Sequence, residues 1–180
     1  MSNILKQSYR DFLLKSKNEH GVHSPFVYDL VTKCLRKKRD TASLYKELKN
    51  GFPKSLNAKH IRILNDVISY LEIMNYGHFC ESEHNIDKLP ITKLLTKTNH
   101  SSADLIYVPV ENFNSHHADQ VISELKKEAV LVIESPYSNS DVWENFKEKQ
   151  KTHIVVDTYY FGFIFNRKEQ QANEHFNIRI

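Results

Sequence analysis

Three short apolar runs in the last third of the chain constrain its fold most strongly. They span residues 104–110, 129–135 and 153–166. Each run is rich in β-branched or aromatic residues and is bounded by polar or turn residues, a pattern typical of strands that are buried on both faces. The sequence therefore predicts a sheet core in this part of the chain.

The segments between these runs have apolar residues at helical spacing. Such spacing covers residues 115–127, and a second stripe covers residues 140–149. A strand, a helix and a strand in succession form a crossover unit with a parallel pair of strands, and the long last run predicts a hairpin. We predict an α/β fold with a mostly parallel sheet of about five strands that ends in an antiparallel hairpin.

The front of the chain is predicted to be helical. Apolar residues recur at helical spacing in 3–16 and 57–72, and a shorter helical stretch covers 40–49. Ser24 and Pro25 predict the N-cap and the first residue of another helix. After the helix at 57–72, the only candidate for a first strand is the segment 73–80.

The chain is expected to form a single domain over residues 1–180. Its size is that of one domain, and no linker divides it. Within the domain we distinguish a basic helical segment at 1–55 and an α/β core at 56–180. No apolar stretch has the length of a signal peptide or a membrane span, so we expect a cytoplasmic protein with no membrane partner. Cys34 and Cys80 are interpreted as small apolar residues in a reduced compartment.

Charge is distributed unevenly along the chain. Residues 1–62 contain 14 basic and 5 acidic side chains, whereas residues 63–180 contain 11 basic and 17 acidic ones. The densest basic run consists of Arg36, Lys37, Lys38 and Arg39, which could contact phosphate or another anion. The alternative is a solvated helix end, where cations are stabilised by the last carbonyl groups. No aromatic residues interleave the run, which argues against nucleic acid as a partner.

Two stretches carry a resemblance to a known family. One contains His23-Ser-Pro-Phe26 within residues 18–29, and the other is the ending Val155-Val-Asp-Thr-Tyr-Tyr-Phe161 with its continuation to residue 180. Both are similar to segments of a family of class I S-adenosylmethionine-dependent methyltransferases from Bacteroidetes. The resemblance implies a three-layer Rossmann-like methyltransferase fold, here reduced, and S-adenosylmethionine as the cofactor if the chain is active.

The resemblance also implies where a cofactor would bind. In the family a glycine-rich turn follows the first strand and an acidic residue ends the second strand, where it holds the ribose hydroxyls. Only Gly77 of the four glycines lies near the expected turn, and Glu81 and Glu83 are the acidic residues that follow it. These two lie too close to Gly77 for an intervening helix and strand, so all three are weak candidates for cofactor binding.

Two glutamates are candidate catalytic residues. Where the family carries acidic residues after later strands, this chain reads Pro109-Val110-Glu111 and Glu134-Ser135-Pro136. Glu111 and Glu134 are therefore the acidic candidates at the carboxyl edge of the sheet, with solvated strand ends as the alternative. His78, Cys80 and His84 form a ligand-rich stretch, but in a strand His78 and Cys80 would share a buried face and His84 would fall beyond it, so we predict no metal.

Length points to the loss of part of the ancestral domain. Only 26 residues separate Gly77 from Asp104, which is too few for a helix, a strand or two and their loops, so we expect the second and third strands of the family's sheet to be missing or vestigial. The exposed sheet edge would then be covered by the basic front segment or by a second copy of the chain. The sequence thus favours a degenerate, non-catalytic methyltransferase-like protein that binds a protein partner or itself. The alternatives are an active methyltransferase with an atypical cofactor site and a polyanion-binding protein that uses the basic front third.

Overall fold

The computed structural model describes residues 3–17, 21–36, 58–78, 95–149, 153–167 and 173–180. These residues form one seven-stranded sheet with helices around it. The strands are β1 Asn75–His78, β2 Thr96–Lys97, β3 Leu105–Val108, β4 Val130–Glu134, β5 Ile154–Asp157, β6 Phe161–Phe165 and β7 Glu174–Asn177.

The helices lie close to the positions that the apolar spacing predicts. They are α1 Asn3–Lys15, α2 Pro25–Asp29 with a π-helical continuation Leu30–Leu35, α3 Ala58–Tyr70, α4 Ser115–Glu124 and α5 Ser140–Lys149. Ser24 occupies the N-cap position of α2 with an extended backbone, although its side chain makes no capping hydrogen bond. The helix predicted at 40–49 falls outside the described residues.

The sheet is mixed, with the strand order β2-β1-β3-β4-β6-β5-β7. β2, β1, β3 and β4 are parallel neighbours, and β7 runs parallel to β5. β6 is antiparallel to both β4 and β5. β5 and β6 form the predicted hairpin, and β6 lies between β4 and β5 in the sheet. The prediction of an α/β fold with a mostly parallel sheet and an antiparallel hairpin is confirmed.

The predicted number of strands, about five, is wrong. β2 is only two residues long, and so short a strand leaves no readable pattern. It pairs with β1 in the register Asn75 opposite Thr96, so a second strand is present beside the first. β7 lies in the segment after residue 170, for which we predicted no strand, and there the apolar residues Phe176 and Ile178 alternate with polar ones.

Helices cover both faces of the sheet. On one face, α2, its π-helical continuation and α3 pack against alternate residues of the strands, including Tyr107, Val132 and Phe163. On the other face, α4 and α5 pack against the intervening residues, including Ile133. Strands that are buried on both faces explain why the three apolar runs lack alternation in the sequence.

The front of the chain docks beside β7. The N–H group of Lys17 donates a hydrogen bond of 2.7 Å to the carbonyl oxygen of Asn177, and Lys17 forms a parallel bridge with Ile178. This edge is the one opposite to β2. The expectation that the front segment covers the edge left by lost strands is therefore wrong for residues 3–17, which contact the other end of the sheet.

Candidate functional site at the carboxyl edge of the sheet

The carboxyl ends of parallel strands form the edge at which α/β proteins bind ligands. Two strands have an acidic last residue at this edge: β4 ends at Glu134 and β5 ends at Asp157. β6 separates them, because Glu134 lies opposite Phe161 and Asp157 lies opposite Gly162. The two carboxylates contact opposite faces of the sheet and have different surroundings.

Glu134 is buried, with 3% of its surface exposed. The hydroxyl group of Tyr107, on the adjacent strand β3, donates a short hydrogen bond to Glu134 Oε2. The alternative interpretation of Glu134 as a solvated strand end is therefore wrong. Its burial follows from the register, since Tyr107 lies opposite Val132 and so shares a face of the sheet with Glu134.

A histidine lies at the same end of this face. The buried ring of His60, on α3, lies 4.6 Å from the ring of Tyr160 and 5.8 Å from that of Phe161, which pairs with Glu134. Burial, with a smaller contribution from the adjacent Lys59, lowers the pKa of His60 to about 4. The imidazole is thus neutral at pH 7, and a proton added there on acidification destabilises the fold.

Lys59 is fixed beside this group. Its ammonium donates a hydrogen bond of 2.5 Å to the carbonyl oxygen of Ile180 and lies 5.0 Å from the centre of the Tyr160 ring. Burial, followed by the charge of Arg62, lowers the pKa of Lys59. A lysine of lowered pKa, a neutral histidine and a buried carboxylate therefore surround the start of β6.

Asp157 is the centre of a second polar group, on the other face. Its Oδ2 atom accepts hydrogen bonds from Tyr137 Oη at 2.7 Å and from Trp143 Nε1 at 2.8 Å, and Oδ1 accepts one from the N–H group of Tyr159 at 2.8 Å. The ammonium of Lys147 lies 3.7 Å from Oδ2. Burial raises the pKa of Asp157, and the Lys147 charge and the donors of Trp143 and Tyr137 act against that rise.

The two loops that cross this edge hold left-handed residues. Ser135, directly after β4, has φ 47°, and Tyr159, in the hairpin turn, has φ 69°. The N–H group of Ser135 donates a hydrogen bond of 2.8 Å to the carbonyl oxygen of Tyr160, which ties one loop to the other. Left-handed non-glycine residues are sustained only where the surroundings hold them, so this part of the edge is firmly fixed.

Aromatic side chains cover the same loops. The ring of Tyr159 stacks on that of Tyr137 at 4.9 Å, and α1 adds Tyr9 at 4.7 Å and Phe12 at 5.5 Å from Tyr159. Tyr159 is 8% exposed. The protein therefore fills the space above the ends of β4, β5 and β6 with its own rings.

Gly77 lies in a different setting from the one expected for a cofactor turn. It is inside β1, opposite Ile106, and none of the described glycines has a positive φ. A Cβ atom at Gly77 would lie 3.1 Å from the carbonyl oxygen of Thr98. Gly77, the weak candidate for a cofactor-binding turn, is therefore paired within the sheet and packed against the end of β2.

The structure describes only the backbone of Glu111 among the remaining predicted site residues of the cofactor and catalytic sites, apart from Glu134. Glu111 lies in a 3₁₀ turn, Val110–Asn112, directly after β3, but its side chain is outside the described part of the structure. Glu81 and Glu83 lie in a segment that the structure does not describe. Of the five candidate residues of the cofactor and catalytic sites, only Glu134 is therefore placed in a group of interacting side chains.

Of the four residues of the basic run, the structure describes Arg36 alone. Arg36 donates a hydrogen bond of 2.9 Å from Nη2 to the carbonyl oxygen of Arg179. Lys37, Lys38 and Arg39 lie outside the described residues. Arg36 thus has a structural contact with the segment after β7.

The described part of the chain shows neither a metal-binding cluster nor a membrane-spanning helix. Across the described ranges, no group of three or more His, Cys, Asp or Glu side chains is arranged to hold a metal ion. Among the helices placed by the structure, none is long and apolar enough to cross a membrane. Cys34 is buried and is not part of a disulfide within the described ranges.

Sequence reasoning missed the Asp157 group. Asp157 directly follows the apolar residues 154–156, and a polar residue at the end of a fully buried strand is the signal that could have identified it. Lys147 gives no such signal, because a lysine on an amphipathic helix ordinarily faces water. Its burial depends on the contact between α5 and the sheet.

Comparison of the chain with protein-family models, with curated proteins and with solved structures finds no match.

Proposed function

We propose that the chain is a methyltransferase-like protein that transfers no methyl group and acts by binding a protein partner or a second copy of itself. The proposal starts from the resemblance of residues 18–29 and 155–180 to class I methyltransferases. It is supported by the mixed α/β sheet, whose reversed strand β6 lies between β4 and β5.

The proposal rests mainly on which residues stand at the end of β2 and around Gly77. The resemblance implies an acidic residue there, as an acceptor for ribose hydroxyls, and a glycine-rich turn after β1. The described strand β2 ends instead in Lys97, and the carbonyl oxygen of the next residue, Thr98, packs against Gly77. An ammonium group cannot accept the hydrogen bonds of a ribose diol, and Gly77 is in the strand rather than in a turn.

A second observation also supports the proposal that the chain transfers no methyl group. The space above β4, β5 and β6 is filled by Tyr137 and Tyr159, together with residues of α1. An acceptor substrate in this place would have to displace stacked rings that are hydrogen-bonded to Asp157 through Tyr137. The edge is built as a packed surface.

Binding through surfaces has support in the side chains that the fold leaves exposed. Leu14 on α1 is 86% exposed and Met74 before β1 is 64% exposed. The basic front and the acidic remainder of the chain add a charge asymmetry that favours association with a protein of mixed charge.

An active methyltransferase is the second candidate. The observation that favours it is Glu134, a buried carboxylate at the carboxyl edge with a tyrosine hydroxyl on it. Buried titratable groups at such an edge are common in active sites. In that case Glu134 would be the residue on which activity depends.

Calorimetric titration with S-adenosylmethionine and S-adenosylhomocysteine, run beside gel filtration with light scattering, tests the proposal. We expect no binding at millimolar cofactor and a mass above that of the monomer, or a co-purifying protein. Micromolar binding that Glu134→Gln removes, while Glu128→Gln on the surface leaves it unchanged, would favour the second candidate and overturn the proposal.

A further inference from the structure

A cavity of about 320 Å³ lies between α1, α5 and the end of β7. It is separate from the end of β2, where the resemblance places a cofactor. The residues that line it include charged side chains of both signs and two aromatic rings. They are Asp11, Phe12, Lys15, Tyr137, Ser140, Glu144, Lys147, His175 and Asn177.

A buried ammonium group forms one wall of this cavity. Lys147 is 4% exposed, and Glu144 Oε1 accepts a hydrogen bond of 2.7 Å from its Nζ atom. Nζ also lies 3.7 Å from Asp157 Oδ2 and 5.3 Å and 5.8 Å from the ring centres of Trp143 and Tyr137. These contacts fix the position of the ammonium, so a ligand that pairs with it loses little freedom in ordering it.

The charges around the cavity balance. Lys147 and Glu144 on α5 face Lys15 and Asp11 on α1, which gives two ammonium and two carboxylate groups. Desolvation and the nearby Lys147 charge lower the pKa of His175 to about 4, so its ring adds no charge at pH 7. A neutral lining of this kind disfavours a simple anion or cation and complements a ligand that carries both charges.

The aromatic residues supply an apolar wall. The rings of Phe12 and Tyr137 meet edge to face, with their centres 5.9 Å apart. Their contact joins α1 to the turn before α5, and both rings line the cavity together with the two pairs of charged residues. A ligand that contacts both pairs would therefore place an apolar part against these rings.

We propose that this cavity binds a free α-amino acid with an apolar or aromatic side chain. Its carboxylate would pair with Lys147 and Lys15, its ammonium with Glu144 and Asp11, and its side chain would pack on Phe12 and Tyr137. The volume of the cavity lies at the lower end of the range for small-molecule sites, which suits a ligand of this size.

Calorimetric titration of the whole chain with L-phenylalanine and L-methionine tests this proposal. We expect both to bind, and we expect phenylalaninamide and N-acetyl-phenylalanine, which each lack one charge, to bind about tenfold more weakly or worse. Binding of either amino acid should also raise the midpoint of thermal unfolding, since the ligand joins α1 to α5. No binding of either amino acid at about 10 mM, on the millimolar scale of weak ligands, would overturn the proposal.

Two variants on α5 provide the matched comparison. Glu144 is about half exposed, so Glu144→Gln should fold and should weaken binding of L-phenylalanine about tenfold. Glu148→Gln lies one turn later, is exposed and does not line the cavity, so it should leave binding unchanged. Equal losses in the two variants would contradict the site.

Failure of the amino-acid site can be distinguished from failure of the proposed function, which states that the cofactor site is lost. S-adenosylmethionine itself carries an amino-acid group and could enter the cavity, so the cofactor titration is repeated with Glu144→Gln. Cofactor binding that persists in this variant contradicts the loss of the cofactor site and leaves the amino-acid site standing. Cofactor binding that disappears with it is assigned to the cavity.

Discussion

The ring of Trp143 lies directly against Gly162, so that a Cβ atom at this glycine would overlap Cη2 and lie 2.8 Å from Cζ2. Gly162 is the second residue of β6 and pairs with Ile133 and Asp157 of the neighbouring strands. The indole Nε1 atom of the same tryptophan donates to Asp157. Packing of α5 and burial of the Asp157 carboxylate therefore depend on a position without a side chain.

Gly162→Ala should destabilise the protein by about 2 kcal/mol, because the added methyl group displaces the indole ring. Urea unfolding followed by circular dichroism measures the loss. In a Trp143→Phe background the ring is smaller, so the same alanine should cost less there than in the wild type. Additive costs in the double variant would contradict direct contact between the two positions.

Lys147→Met should destabilise the protein by about 3 kcal/mol at pH 7.5, since the fully buried Asp157 carboxylate loses its nearby counter-charge. Burial raises the pKa of Asp157 already, and removal of Lys147 should raise it further. A protonated Asp157 needs no counter-charge, so the difference from the wild type should shrink as the pH falls towards 5.

The control for this variant is Lys149→Met. Lys149 pairs with Asp119 at the surface, where both side chains are about half exposed, so its loss should cost less than about 0.5 kcal/mol. A Lys147 effect as small as this, or one that does not depend on pH, would count against the buried pair.

Acid should destabilise the fold through His60. Its pKa is lowered to about 4, below the ordinary value of 6.5, so the unfolded chain binds more protons between these two pH values. Stability should therefore fall as the pH falls through this window, with about 1.4 kcal/mol lost to this residue by pH 5.5.

Urea unfolding at pH 7.5 and 5.5 checks this expectation with the variant His60→Gln. The variant should lose less stability on acidification than the wild type does. His23→Gln, at an exposed position, is the control and should show the wild-type pH dependence. If both variants keep the wild-type dependence, His60 is not the source of the effect.

Tyr107→Phe should cost about 2 kcal/mol, because the buried Glu134 carboxylate loses a hydrogen-bond donor. The midpoint of thermal unfolding measures the change. Tyr28→Phe removes a hydroxyl group from a side chain that is 45% exposed and should be nearly neutral. A neutral Tyr107→Phe would show that Glu134 does not depend on this donor.

Much of the α/β fold could be predicted from the sequence, because strands buried on both faces leave continuous apolar runs. β3, β4, β5 and β6 all lie within the three predicted runs, and α5 has the predicted bounds. The two strands that were not predicted are at the sheet edges. β2 is too short to show a period, and β7 alternates like a half-exposed strand, a pattern that we did not use.

The candidate site could be predicted only in part. Glu134 was identified from its position at the end of a buried strand, but its burial depends on the register that brings Tyr107 beside it. Gly77 was a weak candidate only because the resemblance implies a glycine-rich turn near it, whereas β1 includes the residue, as the predicted strand at 73–80 already did. The pairing of Lys147 with Asp157 joins a helix to a strand and leaves no local signal in the sequence.

The central claim is that the ends of β1 and β2 no longer bind S-adenosylmethionine. The most direct test is an NMR titration of ¹⁵N-labelled protein with S-adenosylhomocysteine, in which the amide signals of Gly77 and Thr98 are followed. We expect these two signals to stay in place at millimolar ligand. Saturable shifts of both amides at micromolar ligand would contradict it.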